Sequence, residues 1–252
     1  MRRLMLMAAA GWLAIPLTVA GGATAGAQVT HGVLHPAQTS SRAMVESTNW
    51  SGVAVTGKTY TKVKGSWTVP TAESASGARY AADWTGIGGY STDDLIQAGT
   101  SEQFVNGQAS YNAWTEILPA DEVVIPNFPV HPGDHMTVNI TKGSGTSWTI
   151  VVTDSTSGKT FTKKLKYSSS ESSAEWIHEA PTVDGMQATL ATTTTVDFDL
   201  CTANGGTVIG SAGTQHRIQL VGPTEATPSV LDSDHDGFAD ADGSTAPSAP
   251  AS

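Results

Sequence analysis

"SAEWIHEAP", residues 173–181, sets two glutamates four positions apart around a Trp-Ile pair and closes on a proline. Read as a β-strand, its side chains alternate between faces. Glu175, Ile177 and Glu179 then share one face, while Trp176 and His178 point to the other. A carboxylate beside a large apolar residue on a sheet face is either a solvated edge or a site. The surrounding sequence has to decide between them.

Short segments of the same two-residue period run along the chain from Thr48 onward. "KVKGSWTVP" puts Val63, Trp67 and Val69 on one face, and "HMTVNITK" does so with Met136, Val138 and Ile140. "SWTIVVTD" offers Trp148, Ile150 and Val152, and "TTTTVDFDL" offers Val196, Phe198 and Leu200. Turn signals such as "KGSG", "STSGK" and "ANGG" separate these runs at short intervals. No stretch of a dozen residues after residue 48 carries a helical stripe. The pattern predicts an all-β fold, a sandwich or jelly roll of antiparallel strands.

The chain has 252 residues, a single cysteine and a formal net charge of −10. Charged residues make up 14%, against roughly 25% in an ordinary soluble protein. Nothing is basic enough to suggest nucleic acid or an anionic membrane as a partner. In acid, the 13 Lys/Arg and 7 His are left as uncompensated positive charge. Having so few of them limits self-repulsion, which is compatible with an acidic habitat. Cys201 has no partner within the chain, so stability must come from a sizeable core.

Residues 1–27 read as a secretory signal: Arg2 and Arg3, an apolar stretch, then Ala25-Gly26-Ala27 as a small-residue cleavage site. The chain is therefore expected to be exported, extracellular and free of membrane once the signal is removed. Residues 28–46 are polar and non-periodic, a propeptide or a disordered lead-in. Residues 47–230 form the expected β-sandwich domain, and 231–252 an Asp-rich polar tail expected to be disordered. In that tail, "DSDHDGFAD" places Asp232, Asp234, Asp236 and Asp240 around Gly237. This resembles half a calcium loop without its bidentate glutamate, so either calcium or a polar turn fits it.

Several familiar catalytic constellations are absent. The sequence has no Gly-x-Ser-x-Gly elbow, and "HEAPT" lacks the second histidine of a zincin. Trp-rich segments with embedded polar residues remain: "DWTGIGGYSTDDLIQAGT" with Trp84 and Gln97, "YNAWTEILPADE" with Trp114 and Glu116, and "SAEWIHEAP". Taken singly, each polar residue is an ordinary surface group and each Trp a core residue.

Together with "STNWSG" at 47–52, which carries Trp50, these segments resemble the glutamic peptidases, or eqolisins, over residues 47 to about 230. The order is an Asn-Trp start, Trp-x-Gly-Ile-x-Gly, Leu/Ile-Gln-x-Gly, Tyr-x-Ala-Trp-x-Glu-x-x-Pro and Ala-Glu-Trp-Ile-x-Glu. The resemblance implies a concanavalin- or lectin-like sandwich of two antiparallel sheets with about seven strands each. It places the family's catalytic glutamine on Gln97 and its catalytic glutamate on Glu179. Trp84 and Glu116 match positions lining and supporting the cleft, with Trp50, Trp114 and Glu175 as further supporting residues. Glu175 is expected to be an orienting or edge carboxylate. Fungal members carry Asp where this chain has Gly88 and Asn112, which bears on substrate contacts and pH optimum rather than on the reaction.

These residue types suit metal-free hydrolysis of polypeptides by a monomer without cofactors. Glu179 can take a proton from water and later deliver it to the leaving nitrogen. The Gln97 amide can donate to a developing oxyanion and hold the water. The alternative is a glycoside hydrolase with Glu116 and Glu179 as its carboxylate pair, or a carbohydrate- or calcium-binding module. The glycoside hydrolase leaves Gln97 without a task, and the binding module is supported only by the Asp-rich tail.

Overall fold

The computed structural model describes residues 27–37, 44–73 and 75–252. The signal-like stretch 1–27 therefore lies, apart from residue 27, outside the described residues. In chain order the strands begin with β1 (Val29–Thr30), β2 (Val45–Ser47), β3 (Trp50–Thr56) and β4 (Lys62–Thr68). Then come β5 (Arg79–Gly88), β6 (Leu95–Val105), β7 (Gln108–Ile117) and β8 (Val123–Val124). They continue with β9 (His135–Lys142), β10 (Ser147–Asp154), β11 (Lys159–Lys166), β12 (Ser173–Glu179), β13 (Thr182–Val183) and β14 (Met186–Gln187). The last are β15 (Val196–Ala203), β16 (Thr207–Val208), β17 (Thr214–Leu220), β18 (Ala226–Pro228) and β19 (Phe238–Asp242). Among the described residues the only helical element is a 3-10 turn at Ile209–Ser211, and no helix is long and apolar enough to cross a membrane.

The fold is the expected all-β sandwich, with two refinements. Its main sheet runs without a break in the order β11-β10-β9-β4-β15-β19-β18-β17-β3-β12-β5-β6-β7-β8, so the two layers are one curled sheet joined through β19, β18 and β17. Its pairings are antiparallel except for β2, which lies parallel to β17.

Alternation explains the outer layer. In β4, β9 and β10 every second residue is buried, which places Val63, Trp67, Met136, Val138, Ile140, Trp148, Ile150 and Val152 in the space between the layers. The facing layer contributes Val53, Val55, Ile87, Ile96, Ala98, Ala113 and Trp176. Trp176 enters this core because Gly65 opposite it has no side chain; a Cβ there would run into the Trp176 ring and the Thr85 hydroxyl.

The inner strands do not alternate. All of β12, and β5 from Ala81 onward, is buried, because the second face is covered too. A second apolar cluster lies on that face: Trp50, Ala54, Ala82, Trp84, Leu95, Trp114, Ile177 and Ile218. Ile177 belongs to this cluster and Trp176 to the other, so the strand reading of 173–181 holds.

Three expectations fail. Leu200 is 44% exposed because the β15–β4 register shifts between Asp199 and Thr202 and Leu200 takes φ +53°, turning Cys201 inward instead. The tail is not disordered throughout: β19 sits between β15 and β18, with Phe238 stacked on Phe198. Finally, of the two readings of Glu175 the edge one fails, since β12 lies between β3 and β5 and Glu175 is fully buried. Of the lead-in, residues 28–37 form an extended segment whose β1 pairs with β13.

Around β12 the core also holds titratable groups. His178 Nδ1 lies 2.8 Å from Asp83 Oδ1, and the Ser51 hydroxyl donates to Asp240 at 2.8 Å. Burial lowers His178, but Asp83, with Asp240 and Asp242, overrides it and pushes the imidazole up to about 10. Burial pushes Asp240 up to about 7, and Glu102 is raised by burial and by Asp83. Each of these groups holds its proton more tightly in the folded chain than in the unfolded one. Their contribution is complete below the unfolded values of 3.8, 4.5 and 6.5 and is lost as pH rises through the folded ones. Asp94 works the other way: hydrogen bonds from Ser170, Thr92 and Ser169 outweigh its burial and lower it. The expected outcome is a melting temperature that falls by several degrees between pH 4 and pH 8, as scanning calorimetry would read. A melting temperature that climbs over that interval would show that these groups are not buried as described.

Candidate active site

Three rungs of the inner layer carry the polar side chains. Reading β3-β12-β5-β6-β7 across the strands, the first is Trp50–Glu179–Ala82–Ser101–Asn112 and the second Gly52–Ile177–Trp84–Gly99–Trp114. The third is Ala54–Glu175–Gly86–Gln97–Glu116. All share the face that turns away from the other layer. Gly99 lies between two tryptophans because a Cβ there would collide with the Asp83 carbonyl and the Trp84 side chain. Trp50 meets Trp84 edge-on, with ring centroids 5.0 Å apart and planes at 75°.

Glu179 is fully buried and is held by N–H donors. The Trp84 indole donates to its Oε2 at 2.8 Å. On the other side, the Gly32 amide donates to Oε1 at 3.1 Å and Asn49 Nδ2 at 3.4 Å. Charge-assisted bonds of this kind fix a carboxylate more firmly than neutral ones.

Gln97 is also fully buried. Its Nε2 donates to the His31 carbonyl at 2.7 Å and to Glu116 Oε2 at 2.9 Å. Its Oε1 has no hydrogen-bond partner among the described residues. Glu116 Oε2 also accepts the His31 amide at 2.9 Å. Burial, then the nearby Glu179 and Glu122 charges, push the Glu116 carboxyl up to about 8 against the opposing pull of His31.

Extended residues 28–37 therefore lie across the site. The His31 imidazole stacks flat on Trp114, with centroids 3.8 Å apart and planes at 7°. Its Nε2 is 2.9 Å from Glu122 and its Nδ1 3.4 Å from Glu179 Oε2. Burial would lower the imidazole, but the Glu122 and Glu179 carboxylates beside it outweigh burial and raise it to about 10. Next to it, the Gly32 carbonyl accepts the Trp50 indole N–H at 3.0 Å.

The structure thus brings together Gln97, Glu179, Trp84, Glu116, Trp50 and Trp114. Glu175 stands apart. It shares a rung with Gln97, but the Trp84 ring covers the intervening Gly86, where a Cβ would come 2.9 Å from the ring. Neither Glu175 oxygen makes a hydrogen bond among the described residues, and burial pushes its carboxyl well up. Gly88 is a turn glycine at φ +92°. Asn112 ends the Glu179 rung.

Sequence reading missed Asn49, Glu122 and His31. Asn49 is the Asn of the Asn-Trp start, a motif position with no role attached to it, and Glu122 lies inside "YNAWTEILPADE" without a signal of its own. His31 was hidden in a polar stretch with no period. As for the Asp-rich tail, the described residues hold one set of three carboxylates whose atoms approach within 4.8 Å: Asp199, Asp232 and Asp236. Asp240 is not in this set; it faces Ser51 in the core.

Known proteins resemble this chain in sequence and in fold. Aspergillopepsin-2 of Aspergillus niger is 28% identical over 215 residues, covering 76% of this chain and 72% of that protein. Scytalido-glutamic peptidase, solved with a peptide-based transition-state analogue, superposes with a TM-score of 0.66 at 21% identity, over 78% of this chain and 98% of its own. Aspergilloglutamic peptidase from Aspergillus niger gives 0.57 at 24% identity, over 66% and 99%. These two likenesses establish a shared fold. The sequence model of the Peptidase A4 family matches residues 48–235, from just before Trp50 to beyond Glu179. The chain belongs to the Peptidase A4 family, the glutamic peptidases or eqolisins, and is a peptidase.

Proposed function

We propose that this chain is a secreted, acid-acting endopeptidase in which Glu179 activates water and Gln97 stabilises the oxyanion. One observation carries the reading. Gln97 Nε2 lies 2.7 Å from a peptide carbonyl oxygen, and Glu179 Oε1 lies 3.1 Å from the nitrogen of that same peptide group. A hydrolase needs a donor at the oxygen that gains charge and a proton carrier at the nitrogen that leaves. Both are present, on opposite ends of one bond.

Each side chain is suited to its task. The Gln97 amide donates through Nε2, and Oε1, without a partner among the described residues, can accept from the attacking water. The ionised Glu179 takes the proton of that water. As the carbonyl carbon becomes tetrahedral, the nitrogen loses amide resonance and becomes basic enough to receive the proton from Glu179. Trp84 keeps the carboxylate from rotating away. One chain supplies all of these groups, which supports action as a monomer. The signal-like start of the chain supports export.

Glu116 bears on the alkaline limit of activity. With its carboxyl raised to about 8, it is neutral in acid and adds no charge beside the Gln97 donor. As pH rises it ionises, and a negative charge 2.9 Å from Gln97 Nε2 opposes oxyanion formation. The glycosidase alternative required Glu116 as a free catalytic carboxylate, whereas here it is bonded to Gln97 and to backbone.

Hydrolysis of a denatured protein between pH 2 and pH 10 tests this. Gln97→Ala is expected to lower kcat on the order of 10²–10³-fold, the usual effect of losing one oxyanion donor, with an unchanged circular dichroism spectrum. Retention of most activity would remove Gln97 from the reaction. For Glu116→Gln, the expected outcome is an alkaline limb of the pH–rate profile moved upward by about one unit or more. A limb that stays in place would assign the pH dependence to another group.

A further inference from the structure

We propose that the His31–Gly32 bond is the first substrate of this peptidase, cleaved by its own active site, and that the subsite before the cleaved bond is built for an imidazole side chain. The proposal rests on the functional reading above and adds which bond, in which chain, and what recognises it.

The peptide group between Gln97 and Glu179 is that of His31 and Gly32. The segment around it is bound as an extended strand, the form in which a peptide adds to a sheet edge. Before the bond, Val29 and Thr30 pair with Val183 and Thr182, and Gln28 exchanges bonds with Asp184. After it, the Leu34 amide donates to Gly89 at 3.0 Å, and Asn49 clasps both the Val33 carbonyl and the His35 amide at 2.9 Å. The bond is anchored on both sides, which keeps it in register with the two side chains. Holding reacting groups in this way removes much of the entropic cost of a bimolecular step.

The imidazole is recognised through three features. Its flat face lies on the Trp114 indole, an arrangement that favours a cation over the ring. Its edge meets Glu122 at 2.9 Å and Glu179 at 3.4 Å, with Glu116 nearby. The ring is fully buried, and a buried cation is tolerated where carboxylates pair with it. In the acid where the enzyme works, a histidine is protonated even before it binds. Gly32 fits the other side, where its carbonyl meets the Trp50 indole.

The step balances as ordinary hydrolysis. The water oxygen bonds to the His31 carbonyl carbon while Glu179 accepts one proton. The carbon–nitrogen bond breaks, and that proton passes to the Gly32 nitrogen. The products are a peptide ending in the His31 carboxyl group and a chain beginning with the Gly32 amine.

The test follows the N-terminus of the purified full chain by intact mass during incubation at pH 3 to 4, alongside hydrolysis of an added denatured protein. The expected result is a new N-terminus at Gly32 for the wild type and none for Glu179→Gln. A synthetic peptide spanning residues 28–37 should be cut at its His-Gly bond. Replacing that histidine by alanine in the peptide should lower kcat/KM at least tenfold, mostly through KM, and replacing it by phenylalanine should lower it less, since the ring still stacks on Trp114. A Gly32 N-terminus in Glu179→Gln would assign the cut to another protease and overturn the proposal. Hydrolysis of the added protein with residues 28–37 retained, or cut elsewhere, would also overturn it while leaving the peptidase reading intact. Hydrolysis of neither chain nor added protein would overturn both. Equal rates for the histidine and alanine peptides would remove the imidazole subsite.

Discussion

A carboxylate near the middle of a sheet that is covered on both faces needs donors, and Glu179 has three: the Trp84 indole, the Gly32 amide and Asn49. The Trp84 bond is the one supplied by the inner layer of the sheet. It ties β12 to β5 through side chains as well as backbone, and it sets where the rest of the site can be. The same indole lies over Gly86 and beside Gly99, so both neighbouring positions are glycine. It also separates Glu175 from Gln97, although those two share a rung. Two glutamates of one strand, on one face, thereby have different surroundings. One is held by N–H groups at a peptide bond, and the other is buried with its carboxyl pushed well up by burial.

Protonation links fold and chemistry. Glu102, Glu116, Glu175 and Asp240 are all carboxyl groups raised mainly by burial. In acid they are neutral carboxyl groups inside the protein, and burying a neutral carboxyl costs less than burying a charge. At higher pH each becomes a charge that the fold must accommodate. The same shift that favours folding in acid also keeps the surroundings of Gln97 free of charge. A chain with 14% charged residues gains less positive self-repulsion as its carboxylates protonate.

How much of this was legible in the sequence depended on where each element's partner lies. Strands β4, β9 and β10 have one face in the core and one in solvent, so their period of two was open to reading. Strands β5 and β12 are buried on both faces, and their period vanishes from composition; the Trp, Gln and Glu motifs identified them instead. The faces of Glu175, Ile177 and Glu179 followed from strand geometry alone. Leu200 was misplaced because a bulge changes the alternation after Asp199, and a bulge is set by the partner strand β4. Strand β19 was hidden in an Asp-rich stretch because only five residues pair there. The N-terminal segment has no apolar period of its own; several of its bonds go to groups more than 80 residues away, such as Glu116 and Glu179.

The most direct measurement is kcat/KM in acid for Glu179→Gln and Glu175→Gln on the same denatured protein. Glu179→Gln should lose a proton carrier and fall by about 10²–10⁴-fold, the range for general acid–base catalysis. Glu175→Gln should stay within about tenfold of the wild type, because an amide closely mimics a carboxyl group that is already neutral. A collapse in Glu175→Gln with Glu179→Gln still active would contradict the assignment and move the base one step along β12.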